Sequence, residues 1–288
     1  MVDEIKKILN GGYDLHLHTS PDIFPRKLND IDAALFAKEA GLKGIVLKNH
    51  FSPTSERAQI ASEKTDFNVI GSITLNRTVG GLNPEAVEAA LRSGARIVWM
   101  PTIHSLKTVS EPDMVSMFKD VVDAEKGGVP IVKDGKIVSE LLSILSLIKE
   151  KDVTLATGHI YPNEAVELVR EAVRIGIKKI ILTHPFSCLV EMEFGHVKEL
   201  LSLSDGIFVE FTCFDCSSLI KRPLSYEKVA ELIKEVTPHR AIISSDGGQS
   251  LNPMPTEMLF HMIKNLLKNF TFQDIRQMIV HNPSYLIS

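Results

Sequence analysis

Residues 14–18 read DLHLH, which places two histidines one residue apart. In an extended strand successive side chains point to opposite faces, so His16 and His18 project the same way, about 6 to 7 Å apart. That is the spacing of two ligands on one ion, with a hydrogen-bonded imidazole pair at a strand end as the plainer alternative. Four further groups that accept transition ions stand at the ends of other apolar runs: His50 in GIVLKNH, His159 in VTLATGH, His184 in KKIILTH and Asp246 in AIISSD. Neutral imidazoles with a carboxylate suit one or two divalent metal ions, zinc first because the set is rich in imidazole, iron or manganese next.

Such groups work together only if the chain brings those run ends to one place. Ile- and Val-rich runs ending at His18, His50, Leu75, Pro101, His159, His184, Phe211 and Asp246 alternate with amphipathic stretches. Most intervals are roughly 25 to 35 residues, one strand plus one helix, which is the rhythm of parallel βα units. NDIDAALFAKEAG reads as a helix with Asn29 as cap and Gly41 as stop, and NPEAVEAALRSG as one with Asn83 as cap and Pro84 at its first position. Eight such units predict a (β/α)₈ TIM barrel in a single domain over residues 1–288, with a doubly wound open sheet as the alternative. In a barrel the carboxyl ends of the strands converge on one mouth, so the histidines and Asp246 would meet there. The longer stretch between Pro101 and His159 contains PIVKDGKIV, a β-hairpin insertion after strand 4 that turns at Asp134-Gly135 and could serve as a lid.

This pattern resembles the amidohydrolase superfamily, metal-dependent hydrolases built on a TIM barrel, and the likeness runs strand by strand over nearly the whole chain. The family's HxH corresponds to His16 and His18, its strand-5 and strand-6 histidines to His159 and His184, and its strand-8 aspartate to Asp246. HNPSYLI is similar to the NPA-type segment that closes such barrels, and LATGH with SSDGGQ is similar to a branch of predicted hydrolases without an assigned substrate. The resemblance implies hydrolysis of an amide, lactone or other carboxylic ester by a metal-activated water whose proton Asp246 takes and returns to the leaving group. DLHLHTS followed by GLKGIVLKNH also resembles the PHP phosphoesterases, which implies a phosphoester instead. The same barrel also hosts decarboxylases, and a metal-binding barrel without turnover is the reading from outside enzymology. Binuclear members of the superfamily carry a lysine or glutamate on strand 4, and RIVWMPT has neither. The metal count therefore stays open, with Lys48, His50 and Glu210 as candidate further ligands. Lys48 otherwise reads as a cation beside the carboxylate, and Arg77, next to Gly80-Gly81 and a helix start, as a substrate-binding group for an anion.

Composition narrows the partners. Thirty-two basic against 36 acidic residues, a formal charge of -4, give no general attraction to nucleic acid or to an anionic membrane. The opening MVDEIKKILNGG lacks the apolar core of a signal peptide, and three cysteines are too few for a disulfide framework. The expectation is a cytoplasmic enzyme acting on a small-molecule substrate, with a homo-oligomer left open.

Overall fold

The computed structural model describes residues 1–119, 121–133 and 135–288. Its strands are β1 (Tyr13–Leu17), β2 (Gly44–Leu47), β3 (Asn68–Thr74), β4 (Ala95–Trp99), β5 (Val132–Lys133), β6 (Lys136–Ile137), β7 (Thr154–Ala156), β8 (Ile180–Leu182), β9 (Ile207–Thr212) and β10 (Ala241–Ser244). Eight of them pair in parallel in the order β1-β2-β3-β4-β7-β8-β9-β10. The sheet curls until its last strand returns to its first. Asp246 N donates to His16 O at 2.8 Å, His18 N donates to Gly247 O at 3.0 Å, and Leu17 bridges Gly247 in parallel. This seam makes the molecule a (β/α)₈ barrel and disposes of the open-sheet alternative.

The expected local signals operate where the sequence placed them. The Asn29 side chain accepts from Asp32 N to start helix Asp30–Glu39, and that of Asn83 accepts from Glu85 N and Ala86 N to start helix Pro84–Arg92. Leu15, Val46, Ile97, Trp99, Ile181 and Ile242 fill the inside of the barrel, while a larger apolar layer joins the strands to the helices. The HNPSYLI tail forms helix Asn282–Ile287, whose Leu286 joins the interior cluster. Asn282 Nδ2 donates to Ala241 O at 2.7 Å, which ties this closing helix to the start of β10.

The first strand departs from simple alternation. Its register against β2 shifts between Asp14 and Leu17. Leu15 packs inside the barrel, whereas Leu17 packs in the outer layer and Asp14 faces a small space lined by Ala33, Ala37 and Ile45. The His16 ring nonetheless lies 4.8 Å from interior Trp99. Strict parity with Asp14 would have aimed His16 at the helices; the irregularity turns it inward, a use of bulges common beside functional sites.

Insertion β5-β6 is a two-stranded antiparallel hairpin, with Val132 opposite Ile137 and Lys133 opposite Lys136. Of its turn, Asp134 lies outside the described residues, while Gly135 takes φ +72°. The hairpin stands beside the mouth, with Arg77, Gly80 and Gly81 across a cavity of about 1050 Å³. What lies across the mouth is its lead-in segment: Val115 bridges Ile220 beyond β9, and Lys221 N donates to Met114 O at 2.9 Å. The covering role expected of the hairpin belongs to residues N-terminal to it.

Asp14 links β1 to the β10 end through Oδ1, which accepts from Ser245 N at 2.9 Å and His16 N at 3.3 Å. Burial pushes its carboxyl up to about 6, against the pull of those hydrogen bonds. A carboxyl with a raised pKa costs the fold stability as pH climbs from its ordinary value through its folded one. Asp14→Asn keeps an acceptor oxygen and removes that cost. Urea titrations should find the variant close to wild type near pH 4 and relatively more stable by roughly 1–3 kcal/mol at pH 7. A stability difference that ignores pH would contradict this assignment.

Candidate metal centre

Six groups from five strand ends meet at the carboxyl mouth. His16 Nε2 and His18 Nε2 each lie 3.1 Å from Asp246 Oδ1, and ligand atoms of these three residues fall within 4.8 Å of one another. The His18 and His50 rings stack at 4.7 Å, His159 and His184 lie 4.9 Å apart, and His16 and His184 lie 6.1 Å apart. All six residues are buried, the most exposed being Asp246 at 5%. The sequence-predicted groups therefore share one enclosed site.

The backbone bends sharply to bring them there. His184 and Asp246 hold φ of +24° and +44°, conformations that side-chain-bearing residues rarely adopt. Two glycines permit the approach. Gly158, before His159, takes φ +60°, and a Cβ there would strike the carbonyls of Met100 and Pro101; at Gly248, with φ +106°, it would strike that of His18.

Several buried nitrogens have no partner among the described residues: His159 Nδ1 and both ring nitrogens of His184 make no hydrogen bond there. Leaving such atoms buried and unpaired costs roughly 1–3 kcal/mol each, so the site is shaped for a species that accepts their lone pairs. Burial keeps the His18, His50 and His159 rings well below their ordinary pKa and that of His184 at about 4, so these four rings are neutral near pH 7. Asp246, despite its burial, stays well below the usual carboxylate range because His16 and His18 face it. Neutral imidazoles around a carboxylate are the donor set for a divalent transition ion.

His16 is oriented from behind. Its Nδ1 lies 3.1 Å from Glu210 Oε1, on β9, so the carboxylate fixes the ring as it would in a carboxylate–histidine–metal relay. Its Nε2 faces Lys48 Nζ at 2.8 Å, and that ammonium lies 4.5 Å over the Trp99 ring. Two charged donors cannot oppose each other at that distance, so the pair shares a proton. Burial opposes charge on both; Asp246 and Glu210 favour it on His16, while burial pushes Lys48 below its ordinary value.

Other candidates lie outside this cluster. Arg77 donates to the carbonyls of Gly127 and Asp123, fastening the segment after β4 from the cavity side. His104 is buried nearby, its backbone N–H on Asn76 Oδ1 and its carbonyl accepting from Val129 N. Two groups that sequence reasoning passed over do belong to the mouth. Phe118 covers it, its ring 6.0 Å from His50 and 6.4 Å from His159. Arg26, in the PDIFPRK loop after β1, reaches His18 Nδ1 with Nη2 at 3.3 Å. Its signal was available: an arginine eight positions beyond His18, on the loop that leaves the mouth.

Residues 11–210 match the sequence family described as Family of unknown function (DUF6282). No curated protein matches the chain. Among solved structures, the chain is similar to an organophosphorus hydrolase from Deinococcus radiodurans, with TM-score 0.61 and 12% identity over 99% of this chain and 94% of that one. It is similar to an amidohydrolase from Pseudomonas aeruginosa with TM-score 0.63 and 12% identity, covering 99% and 97%. A third is a probable 2-pyrone-4,6-dicarboxylic acid hydrolase from Acinetobacter baumannii with citric acid bound, with TM-score 0.61 and 13% identity over 96% and 99%. These likenesses establish a shared barrel fold.

Two measurements probe the centre. Because an ion at His16 Nε2 competes with the shared proton, metal affinity should rise with pH, with about one proton released per ion around pH 7. Calorimetry in buffers of different ionisation enthalpy reads that number directly, and zero release would contradict the pairing of His16 with Lys48. Glu210→Gln should weaken metal binding roughly 10- to 100-fold in a competition with a chromophoric chelator, with an unchanged circular dichroism spectrum.

Proposed function

The chain belongs to the family of unknown function DUF6282, and from the centre that this member builds we propose a metal-dependent hydrolase acting on a lactone, amide or other carboxylic ester. The observation that carries the reading is the joint burial of His16, His18, His159, His184 and Asp246 at one strand-end mouth, with imidazole nitrogens that have no protein partner. His50, stacked on His18, is the sixth group of the set. One or two divalent ions, zinc first, would be held by these residues. When bound, such an ion lowers the pKa of its water toward neutrality and polarises the scissile carbonyl.

The chain's own groups supply the rest. Asp246 is the carboxylate at the heart of the cluster, its Oδ1 3.1 Å from both His16 Nε2 and His18 Nε2. It takes the proton of the attacking water and returns it to the leaving oxygen or nitrogen. Lys48 Nζ, fully buried beside His16, contributes positive charge where the carbonyl oxygen becomes negative. Phe118 keeps bulk water off the histidines. The fold likeness to a dicarboxylic acid hydrolase and to an organophosphorus hydrolase supports hydrolysis at a carbonyl or a phosphorus centre. Between them, the carbonyl is favoured by Ser245-Asp246-Gly247 at the end of β10, where the phosphoesterases of the alternative reading carry Asp-x-His.

The test is turnover by protein loaded separately with zinc, manganese and iron, on a panel of lactones, carboxylic esters, amides and phosphoesters. Cleavage of the first three classes is expected, and metal-loaded protein inert on every class would leave a binding barrel instead. On the substrate found, Asp246→Asn should lower kcat/KM by roughly 10² to 10⁴-fold while the melting temperature stays near wild type. Activity within a few-fold of wild type would leave the mechanism without its base.

A further inference from the structure

Arg26 sits where a structural arginine has little reason to be. Its side chain is 1% exposed, and among the described residues the carboxylate it pairs with is that of Asp22, whose Oδ2 accepts from Nε at 2.8 Å. The loop that carries it is pinned to the far side of the seam: Arg26 bridges Gln249, and Lys27 N donates to Gly248 O at 2.8 Å. The guanidinium lies 5.4 Å over the Phe24 ring, and Phe24 in turn lies 6.0 Å from His50 and 5.9 Å from Phe118. It is thus a buried cation held rigidly on the aromatic wall of the mouth, beside His18 and in the field of Asp246.

Its contact with His18 is provisional on chemical grounds. A guanidinium only donates, so His18 Nδ1 must accept at 3.3 Å, which puts the ring proton on Nε2, facing Asp246 Oδ1. For His18 to offer Nε2 to a metal its proton has to move to Nδ1, where Arg26 cannot pair with it. The guanidinium must then release His18, and an N–H donor is freed in the buried mouth beside Phe24, where an unsatisfied charged donor is costly. Asp22 already offsets part of the charge through Nε, so the free edge of the fork suits a monoanion with two parallel acceptor oxygens.

We propose that Arg26 anchors a carboxylate on the substrate, and that the enzyme acts on flat carboxylate-bearing esters or lactones whose apolar body lies against Phe24 and Phe118. This rests on the hydrolase reading for the reaction and on Arg26 alone for the anion. It makes Arg26 a specificity-determining residue, with Asp22 positioning it.

Binding tests the anchor without turnover. Zinc-loaded protein, its metal content measured, is titrated calorimetrically with benzoate, with benzamide as neutral isostere and phenyl phosphate as dianion. Wild type should bind benzoate at least about 10-fold more tightly than benzamide, phenyl phosphate should be no better than benzoate, and Arg26→Gln with full metal content should lose the preference. Arg26→Lys, which keeps the charge and loses the fork, should retain only part of it and serves if the glutamine variant does not fold. A benzoate preference unchanged in either variant overturns the proposal, because the carboxylate would then be held by the metal; tighter phenyl phosphate binding overturns the choice of carboxylate. Hydrolysis of monomethyl against dimethyl phthalate separates the two readings. If neither ester is cleaved but benzoate binding depends on Arg26, the anion site stands and the hydrolase reading falls. If both are cleaved equally in wild type and Arg26→Gln, the hydrolase reading stands and the anchor falls.

Discussion

The seam between β10 and β1 is the constraint on which the rest of the molecule depends. The two hydrogen bonds that close the barrel there run through the backbones of His16, His18, Asp246 and Gly247, so barrel closure and ligand assembly are one event. Asp14 adds a side-chain tie to the same join through Ser245 N. A strand pairing slipped by one residue would not merely loosen the sheet; it would turn the histidines away from the carboxylate. Positive φ at Asp246 is tolerated because hydrogen bonds on both sides of the residue determine its backbone.

Around that seam the protein buries an unusual amount of charge. Asp246, Glu210, Lys48 and Arg26 all lie within one shell of the histidines, and each is expensive to remove from water by itself. They are affordable as a set because His16 stands between Glu210 and Asp246, Arg26 pairs with Asp22, and Lys48 lies against the Trp99 ring. Such an arrangement stabilises the fold weakly and specifies it strongly, since removing any member strands another. It also explains why the site tolerates neutral imidazoles that no protein group satisfies.

Much of this was legible in the amino-acid order, for identifiable reasons. His18, His50, His159, His184 and Asp246 each close a short apolar run, and in a parallel barrel that position alone dictates the meeting place. Asn29 and Asn83 announced their helices because capping is local chemistry. The pairing of His16 with Glu210, the inward turn of β1 and the cover by Phe118 were not legible. They depend on register and on contacts across 194 residues in the first case, which no periodicity encodes. Arg26 was readable as a mouth residue by its loop, but not its burial, which follows from the bridge to Gln249. Arg77 had the same kind of sequence signal, yet its donors go to loop carbonyls. Position on a loop locates an arginine; only packing assigns its partner.

Phe118 and its segment have a kinetic consequence. With every proposed ligand at 5% exposure or less and the segment after β4 joined to the loop after β9 through Val115–Ile220 and Met114–Lys221, a substrate of the proposed hydrolysis would have to pass that join to reach the centre. Entry and exit are therefore bounded by how often Met114–Lys221 and the ion pairs of Lys107 and Arg222 with Glu191 let go. Chemistry faster than that opening would be invisible in steady state, and substrates of very different intrinsic reactivity would share one ceiling on turnover.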